Sequence, residues 1–128
     1  MARILLVEDE VFLSSLLKNR FQKEGFEVVL AQTGDEALTA LSGGQKPDLI
    51  LLDLILPGKS GFEVLETIKS DPRVTKVPVM IISNLGQDSD IQKGKELGAV
   101  DYLIKTRVSI DFLVERAKEF LKQSPVQQ

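Results

Sequence analysis

Short β-branched and leucine-rich runs recur along the chain, at Ile4 to Val7, Val28 to Ala31, Leu49 to Leu52, Val79 to Ile82 and Tyr102 to Ile104, and each is followed by a helical pattern. Strands that alternate with helices predict a parallel sheet covered on both faces. The near-continuous apolar character of the first, third and fourth runs marks them as central strands, buried on both sides. Between the strands, Leu13, Leu16, Leu17 and Phe21 share one helical face, and Gly25 stands where a C-terminal stop belongs. Thr33 to Glu36 and Ser60 to Glu63 have capping-box spacing, opening helices with apolar faces at Ala37, Leu38, Leu41 and at Val64, Leu65, Ile68. Ser109 is placed to cap a last helix striped by Phe112, Leu113, Ala117, Phe120 and Leu121. The segment Gln87 to Leu97 breaks the pattern. Its large apolar residues are Ile91 and Leu97 alone, and Gly94 in its interior costs about 1 kcal/mol relative to alanine, so this helix is expected to be the least anchored.

Composition narrows the picture. A chain of 128 residues with 43% apolar content fits one compact domain, expected over 1–122, with 123–128 as a polar tail or the start of a linker. Sixteen basic against nineteen acidic side chains give a net charge of −3 with both signs mixed, so neither nucleic acid nor anionic lipid is an expected partner and proteins are. Cysteine and histidine are both absent, which excludes disulfides, a thiol nucleophile and the usual zinc ligands. Any metal must then sit on oxygen. The apolar run after Arg3 is too short for a signal peptide or a membrane span, and a cytoplasmic location is expected.

The chemistry sits at the ends of the strands. In an open α/β sheet the ligand site lies beyond the carboxyl ends of the strands, where strand order reverses. Here the first run ends in Glu8-Asp9, the third in Asp53, the fourth in Ser83 and the fifth in Lys105. Taken singly, Glu8 or Asp9 reads as a helix cap or turn residue, Ser83 as the start of a loop and Lys105 as a surface lysine. Asp53 is different, because it interrupts an apolar stretch from Leu49 to Leu56 where a charge is costly unless paired or metal-bound. In the flavodoxin-like order 2-1-3-4-5, strands one and three are neighbours, which crowds Glu8, Asp9 and Asp53 together. Three carboxylates against one lysine can be relieved by protonation or by a hard divalent cation, for which Mg2+ is the natural candidate. A carboxylate beside such a cation, with a lysine and a hydroxyl aimed at the same point, suits phosphoryl transfer through an aspartyl phosphate.

These motifs resemble the response-regulator receiver domain of two-component signalling, of the single-domain chemotaxis-regulator type, from Arg3 to about Lys122. The resemblance rests on Val7-Glu8-Asp9-Glu10, on Asp53-Leu54-Ile55-Leu56-Pro57-Gly58-Lys59-Ser60-Gly61, on Ser83 and on the stretch from Gly98 to Lys105. It implies a (βα)5 doubly wound fold with a five-stranded parallel sheet. It also implies that Asp53 is the phosphoacceptor for a sensor histidine kinase or histidine phosphotransfer protein. Mg2+ would be bound by Asp9, Asp53 and the backbone carbonyl of Ile55, with Glu8 acting through a water, while Ser83 and Lys105 bind the phosphoryl group. Ser83 and Tyr102 would form the switch that alters a protein-binding surface on the fourth helix, fifth strand and fifth helix.

The resemblance further implies a protein that is no enzyme beyond its own phosphorylation and dephosphorylation, and that signals to a downstream protein or passes its phosphoryl group on in a phosphorelay. A Mg2+-dependent aspartyl-phosphate hydrolase is the rival, but it calls for an acid two residues after the nucleophile, where this chain has Ile55. A flavin carrier of the same architecture would need a hydroxyl-rich phosphate loop where Glu8 to Val11 stand. Two departures from the family pattern stand out. Thr106 replaces the proline that usually follows the lysine, and Asn84 and Leu85 follow Ser83 where smaller or polar residues are common and are expected to line the approach to the phosphoryl group with Ile55. Leu85 and Ile55 make a poor setting for an attacking water, which predicts slow loss of the phosphoryl group.

Overall fold

A computed structural model describes residues 1–44 and 46–122; the polar segment 123–128 lies outside the described residues. Five strands, β1 (Arg3–Val7), β2 (Glu27–Ala31), β3 (Leu49–Leu52), β4 (Val79–Ser83) and β5 (Asp101–Ile104), alternate with α1 (Val11–Lys23), α2 (Gly34–Ser42), α3 (Gly61–Ser70), α4 (Asp88–Glu96) and α5 (Ile110–Lys122). The strands form one parallel sheet in the order β2-β1-β3-β4-β5. Each strand lies within one residue at either end of the apolar run that predicts it.

The three central strands are buried on both faces because two separate layers of side chains cover them. On one face Leu5, Val7, Ile50, Leu52, Val79 and Ile81 meet α2 and α3 through Ala37, Leu41, Val64, Leu65 and Ile68. On the other, Ile4, Leu6, Leu49, Leu51, Met80 and Ile82 meet α1 and α5 through Leu17, Phe21, Leu113, Val114 and Leu121. Each such aliphatic side chain, fully removed from water, contributes about 1.5–3 kcal/mol before entropy is set against it. Ion pairs from Arg20 to Asp111 and from Lys118 to Glu24 join α1 to α5 at the surface, where such pairs are worth about 0–1 kcal/mol.

Local chemistry sets the helix ends. Gly25 takes φ +92° after α1, as the stop requires. Ser60 and Glu63 form a full capping box at the start of α3. At α2 only half of the expected box forms, since Thr33 Oγ1 accepts from the Glu36 N–H but the Glu36 carboxylate takes the N–H of Gln32 instead of that of Thr33. Ser109 Oγ accepts from the Phe112 N–H and caps α5. In α4 the buried residue is Gly94, with Ile91 and Leu97 only partly covered, which bears out its weak anchoring.

Register delivers the polar residues to one edge. Val7 stands beside Leu52 and Ser83 beside Ile104, so Glu8 and Asp53 leave adjacent strands together, as do the segments after Ser83 and Ile104. The Asp53 N–H is still tied to the Val7 carbonyl at 3.0 Å. Beneath this loop, α3 comes so close that a Cβ on Gly61 would run into the Asp53 carbonyl and stand 2.5 Å from Leu54 Cα. Because both obstacles are backbone, Gly61→Ala is expected to destabilise the protein by about 1–3 kcal/mol in denaturant unfolding, despite the better helix propensity of alanine. An unchanged unfolding midpoint would contradict this close approach.

Candidate functional site

The carboxyl edge of the sheet gathers an unusual density of charge in little solvent. Asp53, at the end of β3, is 3% exposed, and Glu8, at the end of β1, is 0% exposed. Burying two carboxylates side by side demands a cation, and Lys105, entering from the end of β5, supplies it. Its Nζ donates to Asp53 Oδ2 at 2.8 Å and lies 2.8 Å from Glu8 Oε1. The approach to Glu8 Oε1 is off the hydrogen-bond direction, so that contact is ionic and the oxygen has no hydrogen-bond donor of its own. Backbone donors hold the remaining oxygens: the Glu10 N–H donates to Glu8 Oε2 at 3.0 Å and the Ile55 N–H to Asp53 Oδ1 at 3.2 Å.

These groups face an open cavity of about 180 Å3 lined by Asp9, Glu10, Asp53, Ile55, Asn84 and Lys105. Another cavity, beside α2, is lined by Leu5, Val29, Ala40 and Leu41 with Arg3 as its charged residue, and it offers no comparable chemistry. The acidic cluster can accept a hard cation: Glu8, Asp9 and Asp53 each offer a carboxylate oxygen, and these oxygens lie within 4.8 Å of one another. An oxygen-only donor set, with one buried oxygen lacking a hydrogen-bond donor, fits Mg2+ better than a softer metal.

Burial raises the Glu8 pKa from 4.5 to about 6; the contact with Lys105 and the Glu10 N–H oppose the rise, and the charge of Asp53 adds to it. For Lys105 burial acts to lower the pKa, but the hydrogen bond to Asp53 and the contact with Glu8 outweigh it and the net shift is upward. The lysine therefore stays charged.

The remaining expected residues are placed less simply. Asp9 lines the cavity and is exposed. Ser83 is fully buried at the end of β4, does not line the cavity, and its Oγ accepts from the Leu85 N–H at 3.4 Å, inside the turn that follows the strand. Leu85, partly buried, packs against the core and does not line the cavity, whereas Asn84 does. Tyr102 is 9% exposed and donates its hydroxyl hydrogen to the Leu85 carbonyl at 2.5 Å. Burial first, then the charges of Asp90 and Asp53, push its pKa up to about 12. The ring fits because Gly94 faces it: a Cβ there would stand 3.1 Å from Tyr102 Cδ2 and 2.7 Å from Ile81 Cδ1. Sequence reasoning missed Glu10 as a partner of Lys105, at 3.4 Å from its Nζ. The signal was the third acid in Glu8-Asp9-Glu10. All peptide bonds among the described residues are trans, including Lys105–Thr106. No described helix is long and apolar enough to cross a membrane.

Comparison with known proteins gives the same outline. The family model of the response regulator receiver domain matches residues 4–118. The protein PilH of Pseudomonas aeruginosa is 36% identical over 105 residues, which cover 82% of this chain and 86% of PilH. The phosphate regulon transcriptional regulatory protein PhoB of Rhizobium meliloti is 37% identical over 122 residues, 95% of this chain, and the chain spans about half (53%) of that protein. A CheY-like response regulator receiver domain protein from Methanospirillum hungatei superposes with a TM-score of 0.88 at 26% identity, over 100% of this chain and 99% of that one.

The raised pKa of Glu8 makes a prediction for metal-free protein. The folded state binds this proton more tightly than the unfolded state does. The resulting stabilisation is fully present below about pH 4.5 and is lost as pH rises through about 6, an amount of about 2 kcal/mol. Denaturant unfolding in a chelator, compared between the wild type and Glu8→Gln, should show this extra loss in the wild type alone. Parallel pH profiles would contradict it.

Proposed function

The chain belongs to the response regulator receiver domain family, and on that premise we propose that it accepts a phosphoryl group on Asp53 from the phosphohistidine of a sensor histidine kinase or phosphotransfer protein. The observation that carries this reading is the pairing of a buried carboxylate with Lys105 at 2.8 Å beside an open cavity, which gives a nucleophile already aligned with the charge that the transferred group will need. A carboxylate oxygen of Asp53 forms the new bond to phosphorus as the bond to the donor imidazole nitrogen breaks, and that nitrogen keeps the electron pair and takes a proton. Lys105 moves its charge from the Asp53 carboxylate to the phosphoryl oxygens with a small displacement. The Ile55 N–H holds the oxygen that stays behind.

Mg2+, held by Asp9, Asp53 and the Ile55 carbonyl with Glu8 acting through a water, would supply further positive charge to the phosphoryl oxygens. Ser83 reaches the group when its hydroxyl leaves the Leu85 N–H. That movement frees the turn whose carbonyl holds Tyr102, so phosphorylation and the surface formed by α4, β5 and α5 are coupled through one loop. Weak anchoring of α4 keeps the movement inexpensive. The protein is then a switch read by a downstream protein, or an intermediate in a phosphorelay, acts in the cytoplasm, and is no enzyme beyond its own phosphorylation and dephosphorylation.

Incubation with Mg2+ and a small acyl phosphate should add one phosphoryl group to the wild type and none to Asp53→Asn, as read by intact mass. Modification that persists in Asp53→Asn, or is absent from both, sinks the assignment. No turnover of small phosphoesters is expected, and steady turnover would favour the hydrolase. Ile55 is 54% exposed at the mouth and brings no group to orient water, so the phosphoryl group should outlast seconds after donor removal. Decay within seconds would count against that.

A further inference from the structure

The phosphoacceptor site is heavily negative, and that raises the question of what draws an anionic donor to it. Glu8, Asp9, Glu10 and Asp53 contribute four carboxylates, and Lys105 is the single basic side chain in contact with them. A divalent cation and Lys105 together offset three charges, and on transfer the charge of the Asp53 carboxylate gives way to that of the phosphoryl group, about −1.5 to −2 at neutral pH, beside the three remaining carboxylates. The loaded site is therefore short of positive charge. A further cation nearby would speed the approach of the donor.

Four of the five arginines are already committed to carboxylates: Arg3 to Glu27, Arg20 to Asp111, Arg73 to Asp71 and Arg116 to Asp101. Arg107 is the exception among the described residues. It ends the short 3-10 turn Lys105–Arg107, is exposed, and pairs with no described carboxylate. Its side chain does not line the cavity, but its guanidinium lies beside Gly86, two residues after the cavity-lining Asn84. Nη2 lies 3.8 Å from the point where a Cβ on Gly86 would stand, and that point is 3.8 Å from the carbonyl oxygen of Asn84, which lines the cavity. The absence of a side chain at Gly86 leaves the guanidinium room over the loop that follows β4.

We infer that Arg107 is a steering residue for phosphorylation, an unpaired cation beside the loop after β4 that attracts the anionic phosphodonor toward the negative site. This rests on Asp53 being the phosphoacceptor. With acetyl phosphate as donor, the Asp53 oxygen bonds to phosphorus while the bond from phosphorus to the acetate oxygen breaks, and acetate leaves with the electron pair. The donor is an anion throughout, so its approach should depend on a charge within roughly a Debye length, about 10 Å at 0.1 M salt.

The test follows Asp53 phosphorylation of the full chain by acetyl phosphate at constant Mg2+, in wild type, Arg107→Gln and Arg107→Lys, with salt varied and Asp53→Asn as the reference. Arg107→Gln should be about three- to fivefold slower at low salt, the size expected for one charge acting on an anion through water. The gap should close near 1 M salt, where the Debye length is about 3 Å, and Arg107→Lys should retain most of the wild-type rate. Equal rates for wild type and Arg107→Gln at low salt would overturn the inference. A deficit unchanged by salt and not restored by lysine would also overturn it, because Arg107 would then act by packing over Gly86. If the wild type behaves like Asp53→Asn, the phosphoacceptor assignment itself is wrong and the inference falls with it.

Discussion

The ammonium of Lys105, held between Asp53 and Glu8, is the contact on which the site depends. Removing it would leave two carboxylates buried side by side with no counter-charge, a state that proteins avoid by protonating one of them or by opening the structure. The upward shift of Glu8 comes first from its burial, with the charge of Asp53 adding to it, so the lysine only partly offsets the cost of this buried carboxylate. A site in this condition has a standing affinity for additional positive charge, which is the condition under which a divalent cation binds well to few protein ligands. The lysine also connects opposite halves of the sheet, since its strand is at one edge and its partners follow the central strands β1 and β3.

That arrangement requires a sheet rigid enough to hold charges at fixed spacing, and the double-sided burial of β1, β3 and β4 provides it. The helices contribute unequally. On the face covered by α1 and α5, large aliphatic residues and ion pairs fix the packing. On the other face, α3 is fixed against the backbone of Asp53 and Leu54 by the close approach at Gly61, while α4 rests on the small contact at Gly94. Rigidity beneath Asp53 and looseness beside Tyr102 belong to the same layer.

Much of this was legible in the sequence, for identifiable reasons. Apolar runs and helix stripes follow directly from burial, so the strands could be anticipated from the pattern, while their order came from the flavodoxin-like fold that the chain resembles, in which the residues that end the strands share one edge. Glu8, Asp9, Asp53 and Lys105 stand where the sequence placed them. What escaped it lies beyond the strand ends, where the direction of a side chain depends on the shape of the loop. Ser83 withdraws into its turn, Leu85 rotates to the core, and Glu36 takes the N–H of Gln32 although the spacing of a capping box is intact. Glu10 was given no role because its contact with Lys105 spans 95 residues.

Tyr102 gives the molecule one more property. The chain has a single tyrosine and no tryptophan, so its intrinsic emission comes almost wholly from one phenol, and that phenol is hydrogen-bonded to the turn after the strand that carries Ser83. Tyrosine emission responds to whether the hydroxyl is bonded to a carbonyl or to water. The protein thus carries its own optical label on the turn after β4, and any change in that hydrogen bond alters the brightness of the unmodified chain.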